Sequence, residues 1–212
     1  PSLEIERVNA DSTRWEFGDP TAQAERIYDF ELGAGYRHER YAADLNLYWM
    51  EFRNEILPYG GVDDDGLRRS VNAERSVHAG IELSARIDPI PNLSVSGNFS
   101  WSYNRLRDFT GQVDLYDAEW NSAGVADIDF ADNIVPGFPE YLGNLIFDYR
   151  RGVFRGTWQQ QLVGKQYLDP ANTEDLTIEP FALSSVALAA TLGDLFDLGS
   201  VTLSLRVNNL FD

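Results

Sequence analysis

A hydrophobic pattern with a period of two is the clearest feature of residues 93–103. Apolar or aromatic side chains and one glycine occupy the odd positions, and serine and asparagine occupy the even positions. Such alternation predicts a β-strand with two different faces. The polar face has no charge, and the apolar face ends in Trp101 and Tyr103. This composition is typical of a strand that lies between lipid and a wet lumen.

The same alternation recurs along the chain and predicts eight strands. They cover residues 27–37, 41–56, 71–87, 93–103, 141–149, 153–167, 181–192 and 201–207. In the last of them, Leu203 and Leu205 alternate with Ser204 and Arg206. The seventh is ambiguous in period, and its preferred apolar face consists of Val186, Leu188, Ala190 and Leu192.

The connections between these strands alternate strictly between short and long. The short ones are residues 37–40, 88–92, 150–152 and 193–200, and the long ones are residues 57–70, 104–140 and 166–180. An up-and-down antiparallel meander has this arrangement when its turns lie on one side and its loops on the other. In outer-membrane β-barrels the short turns are periplasmic and the long loops are extracellular.

A soluble all-β sandwich would show the same alternation, because a packed core also covers one face of a sheet. Two observations favour lipid, rather than a packed protein core, as the medium that covers the apolar side of these strands. The polar faces carry Ser, Asn, Thr and Gly rather than the Lys and Glu of a water-exposed sheet. The strands are also about ten residues long, which is enough to cross a bilayer when tilted. We expect Asp44, Glu82, Arg86 and Arg206 to face inward and to pair across strands.

Composition, charge and missing motifs exclude several classes of function but do not identify one. The 212 residues suit a single all-β domain, and none of them is cysteine, which excludes disulfides and thiol nucleophiles. The sequence contains no run of about 18 apolar residues, so it predicts no transmembrane helix. The net charge of −17 disfavours nucleic acid as a partner. The sequence contains no nucleophile elbow, phosphate loop or dinucleotide motif, and His38 and His78 have no metal-ligand spacing. We therefore predict neither an enzyme nor a cofactor.

Two acidic segments are candidate binding sites. Asp63, Asp64 and Asp65 form an acidic turn that is a weak Ca²⁺ candidate, although a solvated loop tip is the preferred interpretation. The loop predicted at 104–140 mixes acids with aromatic residues. Its candidate ligand contacts are Tyr116, Asp117, Trp120 and Asp129. Stacking combined with charge suits a cationic or metal-chelate ligand. Divalent ions that bridge these acids to lipopolysaccharide phosphates, or a merely hydrated loop, are the alternatives.

Several segments resemble the C-terminal part of a TonB-dependent outer-membrane receptor. Residues 206–212 (RVNNLFD) resemble the motif that closes the penultimate strand of these receptors. Residues 48–56 (YWMEFRNEI), 72–83 (NAERSVHAGIEL) and 134–139 (IVPGFP) resemble other strand segments of the family. The order and spacing of these segments cover nearly the whole chain.

This resemblance implies a fold and a function. Residues 1–212 would be part of a barrel of about 22 strands, with the N-terminal plug domain and the final strand outside this chain. The whole protein would be a bacterial outer-membrane receptor that imports a scarce nutrient, such as a siderophore or cobalamin. Its partners would be outer-membrane lipid, lipopolysaccharide, the small nutrient ligand and, through the plug, TonB. A complete eight-stranded barrel is the structural alternative. A passive porin and a soluble all-β carbohydrate-active module are the functional alternatives.

The assignment of faces predicts a contrast between two neighbouring substitutions. Leu203→Arg would place a charge on the lipid side, at a cost of about 2–4 kcal/mol near the bilayer midplane. Ser204→Arg would place the same charge in the lumen. We expect L203R to reduce insertion into lipid vesicles much more than S204R, measured as the folded fraction on unheated gels. Equal folding yields would contradict the face assignment.

Overall fold

The computed structural model describes residues 5–6, 16–17, 23–62, 68–194 and 199–211. Regular structure in these residues is entirely β. Within them, no helix is long and apolar enough to cross a membrane. The acidic turn Asp63, Asp64 and Asp65 lies outside the described residues, and its predicted role in Ca²⁺ binding stays a prediction.

The described residues form fourteen strands. They are β1 (Ile5–Glu6), β2 (Glu16–Phe17), β3 (Arg26–Arg37), β4 (Tyr41–Val62), β5 (Arg68–Ile90), β6 (Leu93–Asp108), β7 (Thr110–Tyr116), β8 (Ser122–Asp129), β9 (Tyr141–Arg151), β10 (Phe154–Val163), β11 (Gln166–Tyr167), β12 (Thr177–Ile178), β13 (Phe181–Asp194) and β14 (Ser200–Val207). Eight of them form one antiparallel sheet in the order β3-β4-β5-β6-β9-β10-β13-β14. This order is the predicted meander, because each strand pairs with the next one predicted along the chain.

The structure corrects several predicted boundaries. Strands β4, β5 and β6 extend further than the alternation indicated, so the connection predicted at 57–70 is largely strand. The connection predicted at 104–140 contains the hairpin β7–β8, whose scattered acids obscured its alternation. The strand predicted to reach residue 167 ends at Val163 as β10, and the chain then bends so that the Gly164 amide donates to the Tyr141 carbonyl.

The register places the apolar side chains of all eight strands on one face. One row of successive cross-strand partners is Leu32, Leu47, Ile81, Trp101 and Tyr141. Another is Tyr41, Ile87, Val95, Phe147, Trp158, Val186 and Val207. The face assigned to the ambiguous seventh strand is confirmed, because Val186 lies in the second row and Leu188 lies directly opposite Leu205 on the same face. We call this surface the apolar face.

No second sheet packs on the apolar face in the described residues. Leu32 is 71% exposed, Trp101 58% and Leu203 61%. The substantial contacts between described strands all join hydrogen-bonded neighbours, so they include no second sheet. Soluble monomers rarely expose a continuous apolar surface of this kind. The sandwich alternative therefore lacks the second layer that it requires.

The opposite, polar face is held together by hydrogen bonds and ion pairs. Arg37 and Asp44 pair across β3 and β4 at 3.0 Å. Asn46 donates across strands to Glu31 at 3.1 Å and to Glu82 at 3.4 Å. Cross-strand partners are therefore confirmed for Asp44 and Glu82. Arg86 was predicted to pair across strands as well, but its partner at 3.1 Å is Asp88 of its own strand. Side chains two apart on a strand share a face, so Asp88 is within reach.

The turns opposite the long loops are short and well defined. His38 stacks on Tyr41 with ring centroids 4.5 Å apart, and Tyr36 stacks on Tyr41 at 5.8 Å. Asn92 and Gly152 have φ values of 74° and 59°. These left-handed conformations suit asparagine and glycine, which tolerate them at tight turns.

Gly80 on the polar face predicts a local test of the packing. The Tyr48 hydroxyl lies 2.8 Å from that of Ser102, and a Cβ added at Gly80 would meet the Tyr48 hydroxyl at 2.6 Å and the Trp101 carbonyl at 2.4 Å. We expect Gly80→Ala to destabilise the sheet by about 1–3 kcal/mol, as overpacking does. At the control position, Gly33, the nearest atoms are 3.6 Å away. Thermal unfolding in detergent should show a lowered midpoint for G80A only, and an unchanged midpoint would contradict the packing.

Candidate ligand-binding surface

The loop end of the sheet has its own small hydrophobic core. Strands β4, β5 and β6 continue beyond the aromatic row that contains Trp49 and Tyr103, and loop residues fold back against them. The buried members of this core are Leu57, Ala73, Leu106, Phe109, Phe130 and Val135. Because the core joins three strands to the segment 109–135, it fixes the base of the β7–β8 hairpin on the sheet.

A buried polar cluster lies next to this core on the polar face. The Glu55 carboxylate is 3.1 Å from His78 Nε2 and accepts a hydrogen bond from the Ser76 hydroxyl. Glu55 and His78 are each only 5% exposed. Simple alternation would place Glu55 on the face of Arg53. Asn54, with a φ of 55°, breaks the alternation between them. This cluster was missed at the sequence level, because nothing in the sequence indicated that break.

His78 also anchors a loop segment through its ring. Phe138 packs against it edge-on with centroids 4.8 Å apart, and Phe52 packs on it at 4.8 Å from β4. The register of His78 with Met50 and Asn104 places it on the polar face. Its partner and its burial were not predicted.

A groove of about 390 Å³ begins at His78 and continues down the polar face. Its lining includes six polar side chains, which are Glu31, Asn46, Tyr48, Glu82, Ser100 and Ser102. Phe138 and Pro139 of the loop segment form its upper edge. The groove therefore combines hydroxyl, amide and carboxylate groups below an aromatic edge, which is a suitable lining for a polar ligand of moderate size.

Asn172 holds two loops together at the upper edge of the groove. Its amide donates to the Ile134 carbonyl at 2.9 Å and its oxygen accepts from the Ile134 amide at 2.6 Å. Asn133 donates to the Pro170 carbonyl at 2.8 Å, and the Gly137 amide donates to the Tyr167 carbonyl at 2.8 Å. The segments 133–137 and 167–172 therefore form one unit.

An ion pair braces the second of these loops. Lys165 forms a short ion pair with Glu174, and the Tyr167 hydroxyl donates to the same carboxylate at 2.9 Å. The hydrogen bond between Lys165 and Glu174 lowers the pKa of Glu174 and raises the pKa of Lys165. Both groups are therefore charged at neutral pH.

The hairpin tip carries three of the four predicted ligand contacts. Tyr116 and Trp120 have ring centroids 6.0 Å apart, and Trp120 is 81% exposed. Asp117 lies between them in sequence, and its carboxylate accepts hydrogen bonds from the Glu119 and Asn121 amides at 3.0 and 2.8 Å. The backbone hydrogen bond from Asn121 lowers the pKa of Asp117 below its ordinary value. Asp117 thus shapes the turn that presents the two rings.

The fourth predicted contact is not close to the other three. Asp129 pairs with Thr110 at the base of the hairpin, whereas Tyr116 pairs with Ser122 near the tip. The Asp129 carboxylate accepts a hydrogen bond from the Ala131 amide at 2.9 Å. In the described part of the chain, no three His, Asp or Glu side chains are grouped so as to hold a metal ion.

Comparison with known proteins identifies the family of this barrel wall. A family model for the TonB dependent receptor-like beta-barrel matches residues 9–210. The chain belongs to the TonB-dependent receptor-like β-barrel family. Its sheet is therefore a sector of an antiparallel transmembrane β-barrel, as the resemblance predicted.

Solved structures agree with this assignment. The chain is similar to the unliganded ferric citrate transporter FecA at 22% identity and a TM-score of 0.66, over 89% of this chain and 27% of that chain. It is similar to the ferric yersiniabactin uptake receptor FyuA from Yersinia pestis at 19% identity and a TM-score of 0.64, over 98% of this chain and 28% of that chain. It is similar to the copper transporter OprC at 15% identity and a TM-score of 0.60, over 88% of this chain and 25% of that chain. At these identities the similarity concerns the fold, and the chain spans about a quarter of each structure's length.

The Asn172 clamp predicts a coupling between the two loops. Asn172→Ala leaves the partly buried Ile134 amide and carbonyl without these partners, which costs about 1–3 kcal/mol. We expect faster hydrogen exchange at residues 133–137 in this variant. Thr173→Ala is the control, because that side chain bonds only Asp169 of its own loop. Protection at 133–137 that survives N172A would contradict the clamp.

The hairpin tip predicts a pH dependence. Folding lowers the pKa of Asp117, so its ionised form stabilises the turn at every pH above the ordinary value of 3.8. That stabilisation is lost as the pH falls through the lowered value. The ¹³C shift of the Asp117 carboxyl, assigned with Asp117→Asn, should titrate below 3.8. A midpoint at or above 3.8 would exclude these hydrogen bonds in solution.

Proposed function

We propose that this chain is part of the wall of a bacterial outer-membrane receptor that takes up a scarce nutrient. Its apolar face would contact lipid and its polar face would line the lumen. The observation that carries this proposal is the uncovered apolar face on an eight-stranded meander of the TonB-dependent receptor family. Residues 1–212 would form a partial barrel domain, with the plug domain and the final strand supplied by other parts of the receptor.

We further propose that uptake is coupled to energy through TonB, which acts on the plug. The FecA and FyuA structures are described as a ferric citrate transporter and a ferric yersiniabactin uptake receptor, and both share this fold. A siderophore or a similar metal chelate is therefore the preferred cargo class. In this proposal the chain binds and conducts its ligand and catalyses no reaction.

The ligand would first meet the hairpin tip and then the groove. Tyr116 and Trp120 present exposed rings, and Asp117 adds a negative charge beside them. The groove below offers Glu31, Glu82 and several hydroxyl groups. Because the hairpin base and the groove edge share one anchored loop segment, ligand contact at the tip has a mechanical connection to the lumen. Asp129, at the hairpin base, would contribute little to binding.

Ligand binding tests the role of the tip. Receptor carrying Tyr116→Ala and Trp120→Ala should bind its ferric siderophore about tenfold or more weakly, because two stacking rings are removed. Asp129→Ala should bind nearly as well as wild type. The measurement is radioactive iron retained on cells at low temperature, over catecholate, hydroxamate and carboxylate siderophores. Unchanged binding in the double variant would remove the tip from the site.

Energy dependence separates the receptor from a porin. Uptake by an energy-coupled receptor should stop in a host without TonB or after addition of a protonophore, whereas diffusion through a porin should continue. Cell fractionation adds a second criterion, because a receptor wall should sediment with the outer membrane and require detergent for extraction. Uptake that is independent of TonB would favour the porin, and a freely soluble protein would favour the carbohydrate-active module.

A further inference from the structure

We propose that an arginine patch on the lipid side of the barrel wall binds the phosphate groups of lipid A in the outer leaflet. The patch consists of Arg26, Arg53, Arg75, Arg105 and Arg107. This inference rests on the proposed function, because the outer-membrane orientation places the loop ends of the strands at the outer leaflet. It assigns a lipid partner to a surface that ligand uptake does not use.

Three of these arginines lie side by side on neighbouring strands. Arg26 of β3 is the direct cross-strand partner of Arg53 of β4, and Arg53 is the direct partner of Arg75 of β5. Directly opposite side chains point to the same face with Cβ atoms about 4.5–5.5 Å apart, and like charges in that arrangement repel. The Glu51 carboxylate is shared, at 3.2 Å from Arg53 and 3.0 Å from Arg75. Asp108 of β6 lies directly opposite Arg75. Among the described residues, three guanidinium groups therefore face two carboxylates, and a further anion would balance the row.

The other two arginines lie against an aromatic ring at the edge of the apolar face. The Arg105 and Arg107 guanidinium carbons are 4.9 and 5.4 Å from the centre of the Tyr103 ring. Arg107 also donates to the Tyr103 hydroxyl at 3.0 Å. Tyr103 belongs to the row of cross-strand partners that contains Phe30 and Trp49. Aromatic rings of this kind mark the interface between hydrocarbon and headgroups, so both arginines are held at headgroup height.

The local charge is opposite to that of the chain. The carboxylates that pair with or oppose the five arginines are Glu51, Asp108, Asp132 and Glu140. Within the part of the chain that the structure describes, these five positive and four negative groups leave a local net charge of +1, whereas the whole chain carries −17. The Arg53 and Arg75 side chains are 51% and 43% exposed, so part of each guanidinium group is accessible, while Arg75 Nε is buried against Glu51. Guanidinium groups form bidentate hydrogen bonds with phosphate oxygens, which suits such a row.

The position of the patch favours an acylated phosphate over a free one. Arg105 lies two residues and Arg53 four residues beyond the aromatic row, or about 7 and 13 Å of extended strand. Directly below that row are Leu32, Leu47 and Ile81 of the apolar face. A lipid with phosphates on its headgroup can contact the arginines while its acyl chains cover these side chains. Lipid A has both parts, and inorganic phosphate has only the first.

Lipid binding by the purified whole receptor tests this assignment. Native mass spectrometry would measure binding of bisphosphorylated lipid A, dephosphorylated lipid A with the same acyl chains, phosphatidylglycerol and inorganic phosphate, each with and without EDTA. Arg53→Gln with Arg75→Gln removes two charges from the patch. Arg37→Gln with Arg86→Gln removes two charges from the polar face at the other end of β3 and β5, and serves as the control. An unheated-gel mobility shift confirms that each variant is folded.

We expect wild-type receptor to bind bisphosphorylated lipid A about tenfold or more tightly than the dephosphorylated form, and R53Q/R75Q to lose this preference while the control pair keeps it. If R53Q/R75Q does not fold, the single variants R53Q and R105Q give the same comparison. Several results would overturn the proposal: equal affinity for dephosphorylated lipid A or phosphatidylglycerol, an equal loss in the control pair, or release by EDTA, which would indicate divalent ions bridging acids to phosphate. A receptor that inserts into the membrane and takes up its ligand, but does not prefer phosphorylated lipid A, would overturn the lipid A proposal and leave the proposed uptake function standing.

Discussion

Backbone hydrogen bonding between neighbouring strands is the constraint on which the rest of this structure depends. One face of the sheet is exposed to a medium without hydrogen-bond donors or acceptors, so every N–H and C=O at that depth needs a partner on the next strand. The strict sequential pairing from β3 to β14 meets this requirement within the sheet. It also explains why the two edge strands need further strands beside them, since an open edge within the bilayer would leave such groups unsatisfied.

The two faces of the same strands divide the functions of the wall. The apolar face is ordered by register into rows, with aromatic residues at both ends and arginines beyond one of them. The polar face uses small side chains and local ion pairs, such as Arg37 with Asp44, and it is uncharged over long stretches. The proposed ligand recognition by the hairpin tip and groove and the proposed lipid recognition by the arginine patch use different surfaces, so separate substitutions would test them independently.

The loops at one end are built as structured extensions of the sheet. Three strands continue past the aromatic rows, a small apolar core fixes the β7–β8 hairpin, and Asn172 joins two loops through the backbone of Ile134. The buried pair of Glu55 and His78 adds a polar contact below this core, and Phe138 packs on the histidine. A ligand bound at the hairpin tip would thus act on a connected framework that reaches the lumen.

The sequence alone determined which face of each strand is apolar, how many strands the main sheet contains and which connections are short, because a period of two is a local property that burial in lipid imposes on every strand. It also located the exposed rings at Tyr116 and Trp120. Only the tertiary structure decided where the strands end, that Glu55 turns inward after Asn54 to meet His78, and that Arg26, Arg53 and Arg75 form one row. Each of these depends on register, a positive φ or contacts between residues distant in sequence, and alternation along a single strand carries no information about them.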